Sequence, residues 1–419
     1  MEQLSLKLKS NNQQVFSWCP VLEENAYQQI KIMADLPFIE HIAIMPDAHM
    51  GMQCPIGGVV ATKDIIIPNF VGSDIGCGVA AIKTSIKKEY LLIDGLREKI
   101  YHSVCRSIPM GFNRNNQKRG KEINQKYTKE IDYIISVVGY EKKYNVIEAL
   151  EDLILAQTGT CGGGNHYLEI DYDEEGFVWL TLHSGSRKIG KEICDYFNKL
   201  ALDKMAKWHS INIDNIGFLP VNSEEGKSYL AWQEAALEFA QLNRTVMLNE
   251  MMRTISHEFP TVEYSKTINI HHNYATQESH LGKNLWVHRK GAVCAREEKD
   301  GIIPGSMGHG SYITQGLGNK LSLCSSSHGA GRISSRTGFN ATHNDIETVE
   351  IIKKSMDGII FGGFGKETKR NGKETGRLDL AESPMAYKSL DEVMNNQKDL
   401  VKIIHKLTPL INWKDTGEE

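Results

Sequence analysis

The chain has no run of 18 consecutive apolar residues, which excludes a bilayer-spanning helix. Its first ten residues, Met-Glu-Gln-Leu-Ser-Leu-Lys-Leu-Lys-Ser, lack both the apolar core and the small-residue cleavage site of a secretory signal. No Cys-x-x-Cys pair occurs. The eight cysteines, at 19, 54, 77, 105, 161, 194, 294 and 324, lie 23 or more residues apart. That spacing argues against a zinc ribbon or disulfide framework and for reduced thiols in a cytoplasmic protein. A basic excess is missing too: with a net charge of -4, any contact with nucleic acid must come from a local patch. Only 11 prolines occur in 419 residues, and no repeat, low-complexity tract or Pro/Ser-rich linker divides the chain. It therefore reads as one large mixed α+β domain over residues 1–419, with 1–17 peripheral and 415–419 an acidic tail. Nothing resembles a coiled coil, so a monomer is expected.

What is present is a globular composition, 41% hydrophobic and 24% charged. Apolar patterning predicts strands at His41 to Met45, Val59 to Ile67, Val79 to Ile86, Phe177 to Leu182, Thr267 to Ile270 and Leu285 to Val287. Helical spacing predicts helices over 21–36, Ile193 to Trp208, Tyr229 to Ile255 and Leu390 to Leu407, the last with Leu390, Val393, Met394, Val401, Ile404 and Leu407 on one stripe. Two segments are locally basic: Phe112 to Glu130 has six Lys/Arg against two acids, and Lys353 to Arg377 has seven against three. Each is either a solvated loop or a phosphate-backbone contact.

Polar signals collect where apolar strands end. In Val-Gly-Ser-Asp-Ile-Gly-Cys-Gly (71–78), Asp74 and Cys77 project from one glycine-rich turn. An oxygen and a soft sulfur at that spacing suit a divalent transition metal, and a thiolate can bridge two ions. Thr158 to His166 contains four glycines and ends in Asn165-His166, delivering an imidazole to a strand start. His183 ends an alternating strand and is followed by Ser184, Ser186 and Arg187, a setting that favours an anion. His271 and His272 are adjacent, so only one of them can face such a site, and spacing does not choose. Between Ile303 and Arg332 lie Ser306, Ser311 and His328, the last boxed by serines and Gly-Ala-Gly with Arg332 behind it. A histidine so placed is a metal ligand, a general base or a nucleophile toward phosphorus. Asp74, Cys77, His166, His183, one of His271/His272 and His328 together point to metal-assisted phosphate chemistry.

These residues resemble the RtcB family of GTP-dependent RNA ligases from Trp18 to Lys414. The likeness is carried by Met-Pro-Asp-Ala-His-Met-Gly (45–51), the 71–78 loop, Gly-Asn-His (164–166), Leu-His-Ser-Gly-Ser-Arg (182–187), His-His-Asn-Tyr (271–274), Arg-Lys-Gly-Ala-Val (289–293), Ile-Pro-Gly-Ser-Met-Gly (303–308), Ser-His-Gly-Ala-Gly-Arg (327–332) and Pro-Met-Ala-Tyr-Lys (384–388). The resemblance implies joining of an RNA 2′,3′-cyclic phosphate or 3′-phosphate end to a 5′-hydroxyl end, in RNA splicing or repair, with GTP as co-substrate. It implies two Mn²⁺ ions, one held by Asp74, Cys77 and His166 and the other by Cys77, His183 and His272. His328 would carry GMP. Asn165, Glu169, Ser306, Ser311, Arg332, Tyr387 and Lys414 would contact the guanylate, and Arg187 phosphate or RNA. A separate activating protein is a possible partner. The chain departs from the family pattern at Cys161, His288 and His309 and in the residues after Lys414. The alternative reading is a metal-dependent cyclic phosphodiesterase that heals RNA ends without sealing them.

Overall fold

A computed structural model of the chain describes residues 5–6, 15–139, 144–207, 214–362, 367–370 and 373–415. Two six-stranded sheets dominate the mixed architecture. The first runs, in spatial order, Ser5–Leu6, Val15–Ser17, Ile39–His49, Ile56–Thr62, Lys283–Lys290 and Asn273–His280. The second runs Ile268–His271, Gly78–Lys87, Phe177–Ser184, Tyr167–Tyr172, Thr408–Lys414 and Ile360–Phe361. Neighbours are antiparallel except at Val15–Ser17 on Ile39–His49 and Ile360–Phe361 on Thr408–Lys414. Residues 15–17 thus lie inside a sheet rather than at the periphery, with Val15 buried.

The 35-residue helix Glu224–Glu258 starts where the Ser223 hydroxyl accepts from the Gly226 N–H, with Glu224 and Glu225 in the first turn to complement the helix dipole. Its first half buries Trp232, Phe239 and Leu242 against Ile131, Ile134, Ile193 and Phe197. Its second half lays Met247, Met251 and Ile255 on Ile82, Leu168, Leu180, Leu182 and Trp413 of the second sheet. With helices covering it, that sheet reads as nearly continuous apolar strands.

Most expected elements are present with shifted ends. The helix expected over Ile193 to Trp208 is Arg187–Lys207, and Trp208 lies outside the described residues. The Val59 to Ile67 run is interrupted where Asp64 takes a φ of 57°, leaving strands Ile56–Thr62 and Ile65–Ile66. The expected helix Leu390 to Leu407 is corrected: it stops at Leu390–Asn395, and Val401–Lys406 is a strand paired with Ser311–Gly316. Asn395, Asn396 and Asp399 are poor helix formers, Gln397 is drawn away by Ser327, and Val401 with Ile403 and Ile404 favours a strand.

The register of the second sheet determines what meets at one end. Gly78 pairs with both Ser184 and His271, while Tyr167 pairs with His183 and Lys414. The 74–77 turn, His166, His183 and Lys414 therefore share one end of the sheet. His272 sits at the corner where the chain leaves Ile268–His271 for Asn273–His280 in the first sheet. Its N–H donates to the Cys77 carbonyl (2.8 Å).

Candidate functional site

Cys77 lies at the centre of this corner. Its Sγ is 3.4 Å from His166 Nε2 and 3.2 Å from His183 Nε2, and His183 Nε2 is 3.3 Å from His272 Nε2. On the opposite flank, His166 Nε2 is 3.0 Å from Asp74 Oδ2. The ligand atoms of Cys77, His166 and His183 all fall within 4.8 Å of one another, and the three residues are buried. The His166 Nδ1–H donates to the Cys161 carbonyl (2.9 Å), which leaves its Nε2 lone pair aimed at the Asp74 carboxylate and the thiol. Lone pairs facing lone pairs are repulsive unless a cation stands among them. Ligands ~2.0–2.3 Å from a common ion sit about 3–3.7 Å from each other, so the observed separations fit a divalent-metal donor set.

The surroundings favour the neutral imidazoles that metal binding needs. Burial holds His183 and His272 well below the usual histidine range. Burial and Asp74 push the Cys77 thiol well up, a shift that a bound cation reverses. Two glycines make room. A side chain at Gly162, where φ is +98°, would strike Arg187 and His166, and one at Gly185 would strike Asp74.

His271 turns the other way. Arg244, itself fully buried, donates to its Nδ1 (3.1 Å) and to the carbonyls of Gly76 (2.8 Å) and Ser184 (2.9 Å), tying the 74–78 turn to the end of Phe177–Ser184. Which of the adjacent histidines joins the cluster is thus decided by a corner between sheets and by an arginine on a distant helix.

His328 stands beside the cluster, its ring centroid 4.8 Å from that of His272. Asp47 Oδ2 accepts from His328 Nδ1 (2.7 Å) and from the backbone N–H groups of His328 and Gly329 (3.2 Å each). With Nδ1 carrying the proton, Nε2 keeps a free lone pair, the arrangement a nucleophilic or basic imidazole requires.

A cleft of about 860 Å³, including its solvent mouth, opens from His328 and His183. Asn165, Glu169, Ser306, Arg332, Tyr387 and Lys414 line it. Ser311 does not: it is buried on Ser311–Gly316 opposite Pro304. Arg187 does not either. It spends its guanidinium on Thr160 Oγ1 (3.2 Å) and the Gly111 carbonyl (2.5 Å), bracing the glycine loop. Glu169 accepts from Asn412 Nδ2 (2.8 Å), and burial together with Asp171 raises its carboxyl well above the ordinary range.

The departures from the family pattern resolve individually. His288 is a core residue, accepting from the Ile67 N–H (3.0 Å), and Cys161 packs among Leu168, Leu180 and Leu182. His309 Nδ1 pairs with the Ser306 hydroxyl (2.9 Å). Lys414 points into the cleft although more chain follows it; residues 416–419 are outside the described residues.

Sequence reasoning missed Asp47, Arg336 and Glu382. Behind the cleft, Glu382 pairs with Lys414 (2.7 Å), Arg332 (3.1 Å) and Arg336 (2.8 Å) and accepts from the Tyr387 hydroxyl (2.5 Å). Burial works to raise its carboxyl, yet Lys414 and Arg336 hold it at about 2. Its contribution to stability is therefore complete above the ordinary value of 4.5 and is lost only as pH falls toward about 2. Arg332 keeps Nη2 buried without a protein partner among the described residues, an unsatisfied donor on the cleft wall. Asp47 belongs to a quoted motif, which was the available signal; Glu382 and Arg336 offered none.

The sequence profile described as "tRNA-splicing ligase RtcB" matches residues 29–415. The RNA-splicing ligase RtcB of Escherichia coli strain K12 is 37% identical over 420 aligned positions that cover 96% of this chain and 98% of that protein. A tRNA-splicing ligase RtcB of Archaeoglobus fulgidus is 28% identical, covering 93% and 91% of the two chains. An RNA-splicing ligase RtcB of Mycobacterium bovis is also 28% identical, covering 91% and 99%. Matched along nearly its whole length, the chain belongs to the RtcB family.

Proposed function

We propose that the protein is a cytoplasmic RNA ligase that joins a 2′,3′-cyclic phosphate or 3′-phosphate end to a 5′-hydroxyl end, using GTP and Mn²⁺ and a GMP adduct on His328. Family membership supports the reaction class, since relatives bear the name RNA-splicing ligase. The observation that carries the reading is the Asp47–His328 pair (2.7 Å), which leaves Nε2 as the free nitrogen beside the thiol–imidazole cluster.

Asp74, Cys77 and His166 would hold one Mn²⁺ and Cys77, His183 and His272 the other, the bound ions supplying charge neutralisation for phosphate oxygens. His328 Nε2 attacks the α-phosphorus of GTP, a P–N bond forms and the bond to pyrophosphate breaks. The guanylate then passes to the RNA 3′-phosphate, freeing the imidazole, and the 5′-hydroxyl attacks the activated phosphate and expels GMP. A cyclic phosphate is first hydrolysed to the 3′-phosphate. Asp47 holds the His328 ring in one tautomer throughout. In the cleft, Glu169 and Lys414 supply polar contacts to the guanine base. Arg332 and Ser306 face phosphate, with Asn165 and Tyr387 completing the walls. Ser311, buried on its strand, and Arg187, braced to the glycine loop, act from behind these contacts.

The test uses one labelled RNA carrying a cyclic-phosphate end and a 5′-hydroxyl end. Joined product is expected with GTP and Mn²⁺ together and not with either alone. Opening of the cyclic phosphate with no joining under any nucleotide would instead make the protein an end-healing phosphodiesterase.

A further inference from the structure

Resting on that reading, we propose that a groove lined by Arg106, Arg114, Arg119 and Arg253 holds the phosphate backbone of the RNA strand entering the cluster. Arg106 ends the helix Leu96–Ser107, Arg114 lies in the loop after it, Arg119 is in the first turn of Gln117–Lys126, and Arg253 is near the end of Glu224–Glu258. One short stretch, residues 106–119, and a distant helix thus bring four guanidiniums to one cavity in a protein whose net charge is -4. Gathering like charges is unfavourable unless an anion is bound there. Glu250 accounts for two of them, pairing with Arg119 and Arg253 at 2.7 Å each. Arg106 and Arg114 are exposed and have no carboxylate partner among the described residues. Beside the groove, Lys118 and Lys121 are exposed on Gln117–Lys126, so the positive charge continues as a track, which suits a polyanion better than a single small anion.

The groove also adjoins the site. Cys161 N–H donates to the Pro109 carbonyl (2.9 Å), Gly111 N–H to Gly162 (3.0 Å) and Asn115 N–H to Ala156 (2.9 Å), so the 109–115 loop is laced to the glycine loop that positions His166. Arg187 ties the two loops together, donating to Thr160 Oγ1 (3.2 Å) in the glycine loop and to the Gly111 carbonyl (2.5 Å) in the other. Of the second basic segment, side chains 363–377 lie outside the described residues.

The experiment measures binding of a fluorescent single-stranded RNA with a 3′-phosphate across a salt series, alongside GMP loading of His328. Arg106→Glu with Arg114→Glu is expected to raise Kd at least about 10-fold and to flatten the log K against log salt slope by about 1–2. GMP loading is expected to stay at the wild-type level, which also shows that the variant is folded. The neutral pair Arg106→Gln and Arg114→Gln should move both quantities the same way by less. Unchanged Kd and slope in a variant that loads GMP normally would overturn the groove and leave the ligase reading standing. A wild type that neither loads GMP nor binds RNA would overturn both.

Discussion

Cys77→Ser is expected to empty both cation sites together. Sγ of Cys77 touches His166 on one side and His183 on the other, so it is shared by both ligand groups, whereas Asp74 contacts only His166 among the cluster's imidazoles. A serine hydroxyl remains protonated where a thiolate would bind, and it is a shorter, harder ligand. Losing a hydrogen-bond partner outside the ligand shell costs roughly 10–100-fold in metal affinity, so loss of a shared ligand should exceed that at each site. Manganese titration followed by electron paramagnetic resonance is expected to show two bound ions in the parent and almost none in Cys77→Ser at the same free metal. Asp74→Ala is expected to retain about one. Two tightly bound ions in Cys77→Ser would show that the thiol is not the shared ligand.

The second large effect is expected at Asp47. Its Oδ2 accepts three hydrogen bonds, one from His328 Nδ1 and two from backbone N–H groups flanking it. Asp47→Ala releases the ring from its tautomer and orientation and leaves the N–H groups of His328 and the buried Gly329 unpaired. Removing the carboxylate that orients a catalytic histidine costs about 10²–10⁴-fold where the geometry is comparable. The rate of GMP transfer to His328, measured by quenched flow with labelled GTP, is expected to fall by that amount while manganese stoichiometry stays at two. Loss of metal along with rate would mean that Asp47 supports the cluster rather than His328.

How much of this could be read from the chain follows from how local each signal is. Asp74, Cys77, His166 and His183 stand in glycine- and serine-rich loops at the ends of apolar strands, so their candidacy was visible without a structure. Asp47 reaches His328 across 281 residues, and Glu382 reaches Lys414 and Arg332 across 32 and 50. Their roles exist only once the sheets are assembled. The choice of His272 over His271 likewise depends on a corner between two sheets and on Arg244. The misread segment 390–407 shows the opposite failure: a short helix and a following strand both bury Leu390, Val393, Met394 and Val401, and their joined apolar pattern imitates one longer helix.

The central claim is that His328 is the group that carries the guanylate. The protein is incubated with GTP and Mn²⁺, digested under conditions that preserve phosphoramidates, and mapped by tandem mass spectrometry. One GMP on the peptide containing His328, absent from His328→Ala and absent when ATP replaces GTP, is the result expected. GMP on another residue, or joined RNA formed by His328→Ala, would contradict it.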